Sequence, residues 1–403
     1  MPRTRTPAAG RPSRDAERLT LLALARSASG SRVEDLFWER QLEALLGKLL
    51  RAGQDAAVET ALEHLLMTDP TAYEVTVGMC ESLSESTVIE KDGQRYDVLL
   101  IVAPVAAWTR YSIPANRIRP DALDALRAQL HGHVLAEGAQ LALAPTLLSI
   151  DQMPQSFSAT QQWLYRLGMQ ALGKATTQKL AVSTDVEVAN MLADTRYLAG
   201  AIAVPEGQAM FRWQQARDPI PRRTECTQQW AAQAEPTFAA LLPGCGLEVL
   251  LPDAWYTGNR EADRRVRPLS IRAAVGWLDS AAGLPADQLR AVVAGCGEHQ
   301  IDEYRIGFTP RNRNEVVYGC VWPLFDREGG GTEVDEAGMP ADPLEGIVEL
   351  LKAEGVTEVR RIPGLLPMEF CDDCGAPYFP DPTGELVHAE LPEESDSAPA
   401  HFH

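Results

Sequence analysis

Cysteine is scarce in this chain: seven in 403 residues, an odd number that cannot pair completely. A disulfide scaffold is thereby excluded, and the pattern suits a reducing cytoplasm with thiols buried, metal-bound or inert. Long apolar runs are missing too. No stretch reaches the ~20 consecutive apolar residues of a membrane-spanning helix, so no membrane partner is expected. The nearest thing to a signal-peptide core, Leu19 to Ala25, is short. Asp15 and Glu17 precede it where positive charge alone is wanted, so no signal is expected. Positive charge is in deficit, with 37 Lys and Arg against 56 Asp and Glu, a formal charge of −19. A polyanion of this size repels phosphate backbones, and nucleic acid is not expected as a partner. Gly-x-Ser-x-Gly, His-Glu-x-x-His and Gly-x-Gly-x-x-Gly are all absent. Catalytic residues also converge from distant positions, so their absence lowers the expectation of an enzyme without removing it.

Hydrophobic residues at 45% supply a core and exclude a wholly disordered chain. At ~150 residues per domain the length predicts between two and three domains. Residues 1–14 carry four arginines and no acid apart from the helix that follows, and read as a disordered basic terminus. Glu393, Glu394 and Asp396 lie in an acidic tail, 391–403, read in the same way.

Residues 15–86 read as a helical layer. Ser31 followed by Glu34 is a capping box, and Val33, Leu36, Phe37, Leu45, Leu46, Leu49 and Leu50 recur behind it at helical spacing. A second stripe, Val58, Leu62, Leu65 and Leu66, ends before Pro70.

The rest repeats itself. The strand Arg95 to Pro104 recurs as Arg196 to Pro205, and more loosely as Glu303 to Pro310, with tyrosines 101 and 107 residues apart. A second aromatic strand is expected after each (Trp108 to Ile113, Met210 to Trp213, Val316 to Leu324), then a helix (121–136, 224–241, 343–354). Each unit closes on a strand with a Leu-Leu pair: Leu147-Leu148, Leu250-Leu251 and Leu365-Leu366. The glycine-rich stretch Arg327 to Pro343 reads as a surface insertion in the third copy. An opening strand at Leu269 to Trp277 and a helix at Pro285 to Ala294 would give that copy the order β-α-β-β-α-β, the ferredoxin-like arrangement. The second would open with Lys179 to Ser183 and Asp185 to Asp194, the first with the segment 71–85. The expected fold is therefore α+β: the helical layer, then three related ferredoxin-like units (87–157, 158–258, 259–370), then a cysteine-containing segment, 371–390.

That segment carries the most specific motif, Cys371-Asp372-Asp373-Cys374-Gly375 with His388 downstream. Two cysteines three positions apart can turn both sulfurs to one ion, and the glycine lets the chain fold back beneath it. This is half of a tetrahedral zinc site. His388 is the candidate third ligand, with Cys320, Cys296, His299, Glu390 or a second subunit as sources of a fourth. An unligated pair in an ordered turn is the alternative. A redox enzyme is disfavoured, because Pro377 and Pro380 oppose the helix that a redox Cys-x-x-Cys normally opens.

Other features read blandly. Gly168 to Lys174 imitates a P-loop, but Ala175 stands where a hydroxyl should hold magnesium, and the segment lies in a helical stripe with Trp163, Leu164, Leu167 and Leu172. His131 and His133 point apart on a helix. Arg260, Arg264, Arg265 and Arg267 read as an ion-paired turn, with an anionic ligand or a partner's acidic face as the alternative.

The segments Ser31 to Asp35, Tyr96 to Pro104, Tyr304 to Phe308, Cys371 to Pro377 and Val387 to Glu390 together resemble an uncharacterised bacterial family of similar length, classified as a domain of unknown function. The resemblance implies one architecture over nearly the whole chain and brings no activity, cofactor or partner with it. The function expected is a non-catalytic cytoplasmic binding, regulatory or scaffold protein with a structural zinc, engaging a protein partner or a small-molecule ligand. The alternative is an enzyme with a small-molecule site in a cleft between the α/β units.

Overall fold

A computed structural model of the protein describes residues 12–109, 113–174, 192–215, 220–324 and 342–390. The expected disordered N-terminus and acidic tail lie almost wholly outside these residues. Lys179 to Ser183, most of Asp185 to Asp194 and most of Arg327 to Pro343 do as well.

The described residues open with the helices α1 (Arg14–Ser27), α2 (Arg32–Arg51), α3 (Asp55–Thr68) and α4 (Pro70–Glu85). Ser31 caps α2 by accepting from the Glu34 N–H at 3.3 Å, while the Glu34 carboxylate reaches back to Gly30 N at 3.4 Å. Leu42, Leu45, Leu46 and Leu49 bury against Leu19, Val58, Leu62, Leu65 and Cys80. The first half of the expected stripe behaves otherwise. Val33 is 81% and Phe37 53% exposed, because α1 meets that half of α2 through Arg26, which pairs with Asp35 at 2.8 Å and Glu39 at 3.0 Å. The segment 71–85 is α4, not an opening strand. Asp69 caps it, and Pro70 sits where a missing N–H costs nothing.

The first sheet follows: β1 (Ser86–Lys91), β2 (Gln94–Trp108), α5 (Pro120–His133), β3 (Gln140–Leu148), α6 (Phe157–Ala171), β4 (Ala193–Pro205), α7 (Arg223–Leu241), β5 (Gly246–Val249), β6 (Asp253–Ala254) and α8 (Trp255–Ser280). The first two copies of the Tyr-to-Pro strand are β2 and β4. They pair with each other, antiparallel, Tyr96 opposite Pro205 and Tyr197 opposite Pro104. The closing strands cross over: β3 pairs with β4, and β5 pairs with β2. The stretches expected to form a first and a second unit therefore share one sheet, ordered β5-β2-β4-β3, with β1 and β6 also on β2. Pro104, inside the central strand, faces the gap between β5 and β6, and its carbonyl accepts from Leu250 N at 3.0 Å. Leu126, Leu130, Trp230 and Phe238 bring α5 and α7 onto one face. Trp163, Leu164, Leu167, Trp255 and Ala262 bring α6 and α8 onto the other. Both faces are thus buried, which is why β2 and β4 read as continuous apolar runs instead of alternating.

Of the expected second aromatic strands, the third forms over Tyr318–Pro323, and residues 110–112 of the first lie outside the described residues. Trp108 ends β2, and Met210 to Trp213 forms a single bridge at Phe211 and a short 3-10 turn. Leu269 to Trp277 is helix, not strand: Ile271, Ala274, Val275 and Leu278 are buried at a 3.6-residue period. Pro285 to Ala294 is mainly strand, not helix. Its Val-rich run forms β7 (Leu289–Cys296), followed by β8 (Glu303–Pro310), β9 (Tyr318–Pro323), α9 (Pro343–Ala353) and β10 (Glu358–Leu366). These give a second sheet, ordered β10-β7-β8-β9, with β10 parallel to β7 through the α9 crossover. Three consecutive antiparallel strands precede α9, so the chain order differs from β-α-β-β-α-β. Tyr304, Ile306, Phe308, Leu289 and Val293 face α8 and α9. The opposite face, with Val292, Cys296, Arg305 and Thr309, is buried as well.

At the junction of the helical layer with α8, Glu85 accepts from Tyr256 N at 3.0 Å, and Ser84 Oγ lies 3.0 Å from the Tyr256 hydroxyl. Burial pushes the Glu85 carboxyl up to about 7. The Tyr256 N–H opposes this, Glu81 adds to it, and Arg260, itself ion-paired with Glu81, opposes it. A carboxyl raised in the folded state contributes stability that is present below its ordinary pKa and lost as the pH rises through about 7. Glu85→Gln keeps the acceptor and removes the titration. It is expected to be about 1–2 kcal/mol more stable than wild type at pH 8 and no more stable at pH 4.5. Urea titrations at both values check this, and an equal difference at the two pH values contradicts it.

Candidate metal centre

After β10 the chain crosses to the free face of the second sheet. Phe370 bridges to Pro377, Tyr378 N donates to Glu369 O at 3.0 Å, and Cys371 N donates to Ala376 O at 2.8 Å. Between these rungs the turn is tight: Gly375 N donates to Cys371 O at 2.9 Å, and Gly375 has φ +73°, which a side chain would resist. The turn folds its own amides onto the first sulfur. The N–H groups of Cys374 and Asp373 donate to Cys371 and lower its pKa, because they stabilise the thiolate that a metal requires.

A hairpin of β11 (Phe379–Pro380) and β12 (Leu386–Val387) follows. One carboxylate oxygen closes its loop: Asp381 Oδ1 accepts from Thr383 N, Thr383 Oγ1, Gly384 N and Glu385 N at 2.7 to 3.0 Å. The return strand delivers His388 beside the cysteine turn. Cys374 Sγ lies 3.2 Å from His388 Nε2, and the donor atoms of Cys371, Cys374 and His388 all lie within 4.8 Å of one another. The Tyr378 ring stands edge-on to His388, centroids 6.4 Å apart.

The segment is seated on a floor made for it. Gly307 of β8 and Gly319 of β9 are opposite each other in register. A Cβ on Gly307 would stand 2.4 Å from Pro380 O, and one on Gly319 would stand 2.3 Å from the Phe379 ring. Arg305, fully buried beside this floor, donates from Nη1 to Glu369 O at 2.6 Å and to Tyr378 O at 2.8 Å. Its Nε donates to Glu303 Oε1 at 2.6 Å, and the guanidinium lies 4.9 Å from the Phe370 ring centroid. One cation thus ties both arms of the cysteine turn to the sheet. Glu390 N, donating to Val316 O at 2.9 Å, pins the exit.

The sequence-derived trio is therefore brought together, and the residues of this chain named for a fourth ligand are not. Cys296 and Cys320 are buried in the second sheet, the latter with its thiol 3.7 Å from Ser270 O, and neither they nor His299 nor Glu390 joins the group among the described residues. The P-loop imitation lies in α6 and the turn that ends it. His131 and His133 lie in the last turn of α5. Arg260, Arg265 and Arg267 of the basic cluster pair with Glu81, Glu248 and Asp263. Arg305, Gly307, Gly319, Tyr378 and Asp381 were not singled out from the sequence. The two glycines inside strand-like runs are a signal of close backbone approach.

Among the described residues no helix is long and apolar enough to cross a membrane. Neither the curated proteins nor the solved structures contain a match to the chain. One family does, over residues 4–402, nearly the full length and including the cysteine turn and His388. The chain belongs to the family described as "Protein of unknown function (DUF2863)".

Proposed function

We propose that this is a non-catalytic binding or scaffold protein of the cytoplasm, whose C-terminal segment is closed over the second sheet by a structural zinc held by Cys371, Cys374 and His388. The observation that carries this reading is the convergence of two sulfurs and one imidazole nitrogen within 4.8 Å. Two thiolates and an imidazole are the donor set that zinc prefers, and thiolates select it over calcium or magnesium. The amides aimed at Cys371 support the same reading, since they stabilise an anionic sulfur in advance of the metal. Exposed acids at a scattered site would favour no such ion. The sparse cysteines fit a reducing compartment.

In place of two separate units, residues 94–249 support one ferredoxin-like arrangement formed from two copies, by the chain order β2-α5-β3-α6-β4-α7-β5, with α6 inserted between β3 and β4, and the strand order β5-β2-β4-β3. The warrant for a binding role is fold-level analogy alone, because helices cover both faces of this sheet.

Cobalt substitution tests the ligand set. Wild-type protein loaded with Co²⁺ is expected to show intense thiolate-to-cobalt charge-transfer absorption, diminished in Cys371→Ser and shifted in His388→Ala. A spectrum of hexa-aqua type, unchanged by either substitution, rejects the reading.

A further inference from the structure

We propose that Cys371 and Cys374 form a peroxide-responsive clasp, in which oxidation of the pair to a disulfide expels the zinc and loosens the segment that covers the second sheet. The proposal rests on the metal reading above, and it follows from where the seven thiols lie. Cys80, Cys226, Cys296 and Cys320 are buried, Cys245 and Cys371 are half-buried, and Cys374 alone is exposed. Burial also raises the thiols of Cys80 and Cys320 to about 12 and that of Cys296 to about 11, which leaves them unreactive. An oxidant in solution therefore meets Cys374 first and finds a resolving sulfur already within 4.8 Å.

The chemistry balances with hydrogen peroxide as the oxidant. One thiolate attacks a peroxide oxygen, the O–O bond breaks, and hydroxide leaves, giving a sulfenic acid directly. The second thiolate attacks that sulfur and expels a second hydroxide as the S–S bond forms. Two thiolates, one H₂O₂ and two protons become one disulfide and two waters. The sulfurs lose two electrons, the peroxide gains them, and zinc leaves as Zn²⁺ without changing oxidation state.

The structural consequence follows from which bonds the metal supplies. The disulfide joins only residues within the cysteine turn. His388, at the end of the hairpin, loses the ion that fastened it there. What remains is the contact of Phe379 and Pro380 with Gly319 and Gly307, the two carbonyl bonds from Arg305 and the single bond from Glu390 N to Val316 O. Beneath the segment the sheet face carries its own reporter, since Cys296 shares that face with Arg305 and is fully buried.

The experiment titrates reduced, purified protein with hydrogen peroxide. It follows zinc with a chromogenic chelator, the Cys371–Cys374 disulfide by peptide mass, and Cys296 by alkylation rate. The expected result is release of one zinc per disulfide formed, with Cys296 alkylation at least tenfold faster, all reversed by dithiothreitol and Zn²⁺. Zinc retained while peroxide is consumed, oxidation confined to other cysteines, or a disulfide that leaves Cys296 protected overturns the proposal. Zinc content before peroxide reports on the metal reading separately. His388→Ala, which keeps both cysteines but weakens the metal, is expected to form the disulfide with Cys296 already reactive.

Discussion

Arg305→Met is expected to destabilise the protein by about 3–5 kcal/mol, the range for removing one member of a buried ion pair. The substitution strands the Glu303 carboxylate, which is only 16% exposed, and leaves the carbonyls of Glu369 and Tyr378 without the donor that joins them. Each lost acceptor adds its own desolvation penalty. A partial offset comes from Arg305 Nη2, which is buried without a partner and already costs the native state something. The double variant Glu303→Gln/Arg305→Met separates the two contributions, because it removes the stranded charge and keeps the loss of the carbonyl bonds. It is expected to recover at least about 1 kcal/mol relative to Arg305→Met alone. Urea unfolding measures both, and an Arg305→Met variant within about 1 kcal/mol of wild type would show that the cation does not tie the cysteine turn to the sheet.

Gly307→Ala is expected to cost about 2–3 kcal/mol and to weaken metal binding at the same time. Propensity alone predicts the opposite sign, since alanine in a strand gains roughly 0.5–1 kcal/mol over glycine. Contact decides otherwise: the added methyl would stand 2.4 Å from the backbone oxygen of Pro380, so the hairpin must lift from the sheet. Gly319→Ala meets the Phe379 ring in the same way at 2.3 Å. Gly346→Ala in α9 supplies the control. Nothing lies within 4 Å of its added methyl, so it is expected to stabilise by up to about 1 kcal/mol and leave the metal untouched. Thermal unfolding of the three variants, with and without Zn²⁺, checks the signs. A neutral Gly307→Ala would remove the floor from the account.

The parts of this architecture that were legible in the sequence are those whose cause is local. The cluster that could hold a metal was legible because Cys371, Cys374 and Gly375 lie within one turn, and His388 is near enough that a single hairpin brings it back. The tyrosine-led strands were legible because Val98 to Val102 and Leu198 to Val204 are apolar on both faces. What they pair with was not, since the meeting of β2 with β4 is fixed by helices on both sides of the sheet and not by any residue of either strand. Leu269 to Trp277 and Pro285 to Ala294 exchanged their expected states for a related reason. Both are short and apolar, and only the burial of Ile271, Ala274 and Leu278 along one stripe separates helix from strand. Arg305 was invisible because a charged residue in an alternating strand reads as facing water. Its burial exists only once residues 369 and 378 supply carbonyls from more than sixty positions away. Val33 and Phe37 failed in the opposite direction: helical spacing reports a face, and the ion pairs of Arg26 determine how far along that face the neighbouring helix follows.

The seating of the C-terminal segment depends on whether an ion fastens the hairpin to the cysteine turn. Elemental analysis of protein purified under reducing conditions without added metal tests it most directly. One zinc per chain is expected in the wild type, and far less in Cys371→Ser with the fold of the first sheet retained. Reduced wild-type protein that is fully folded and holds no stoichiometric metal would contradict it.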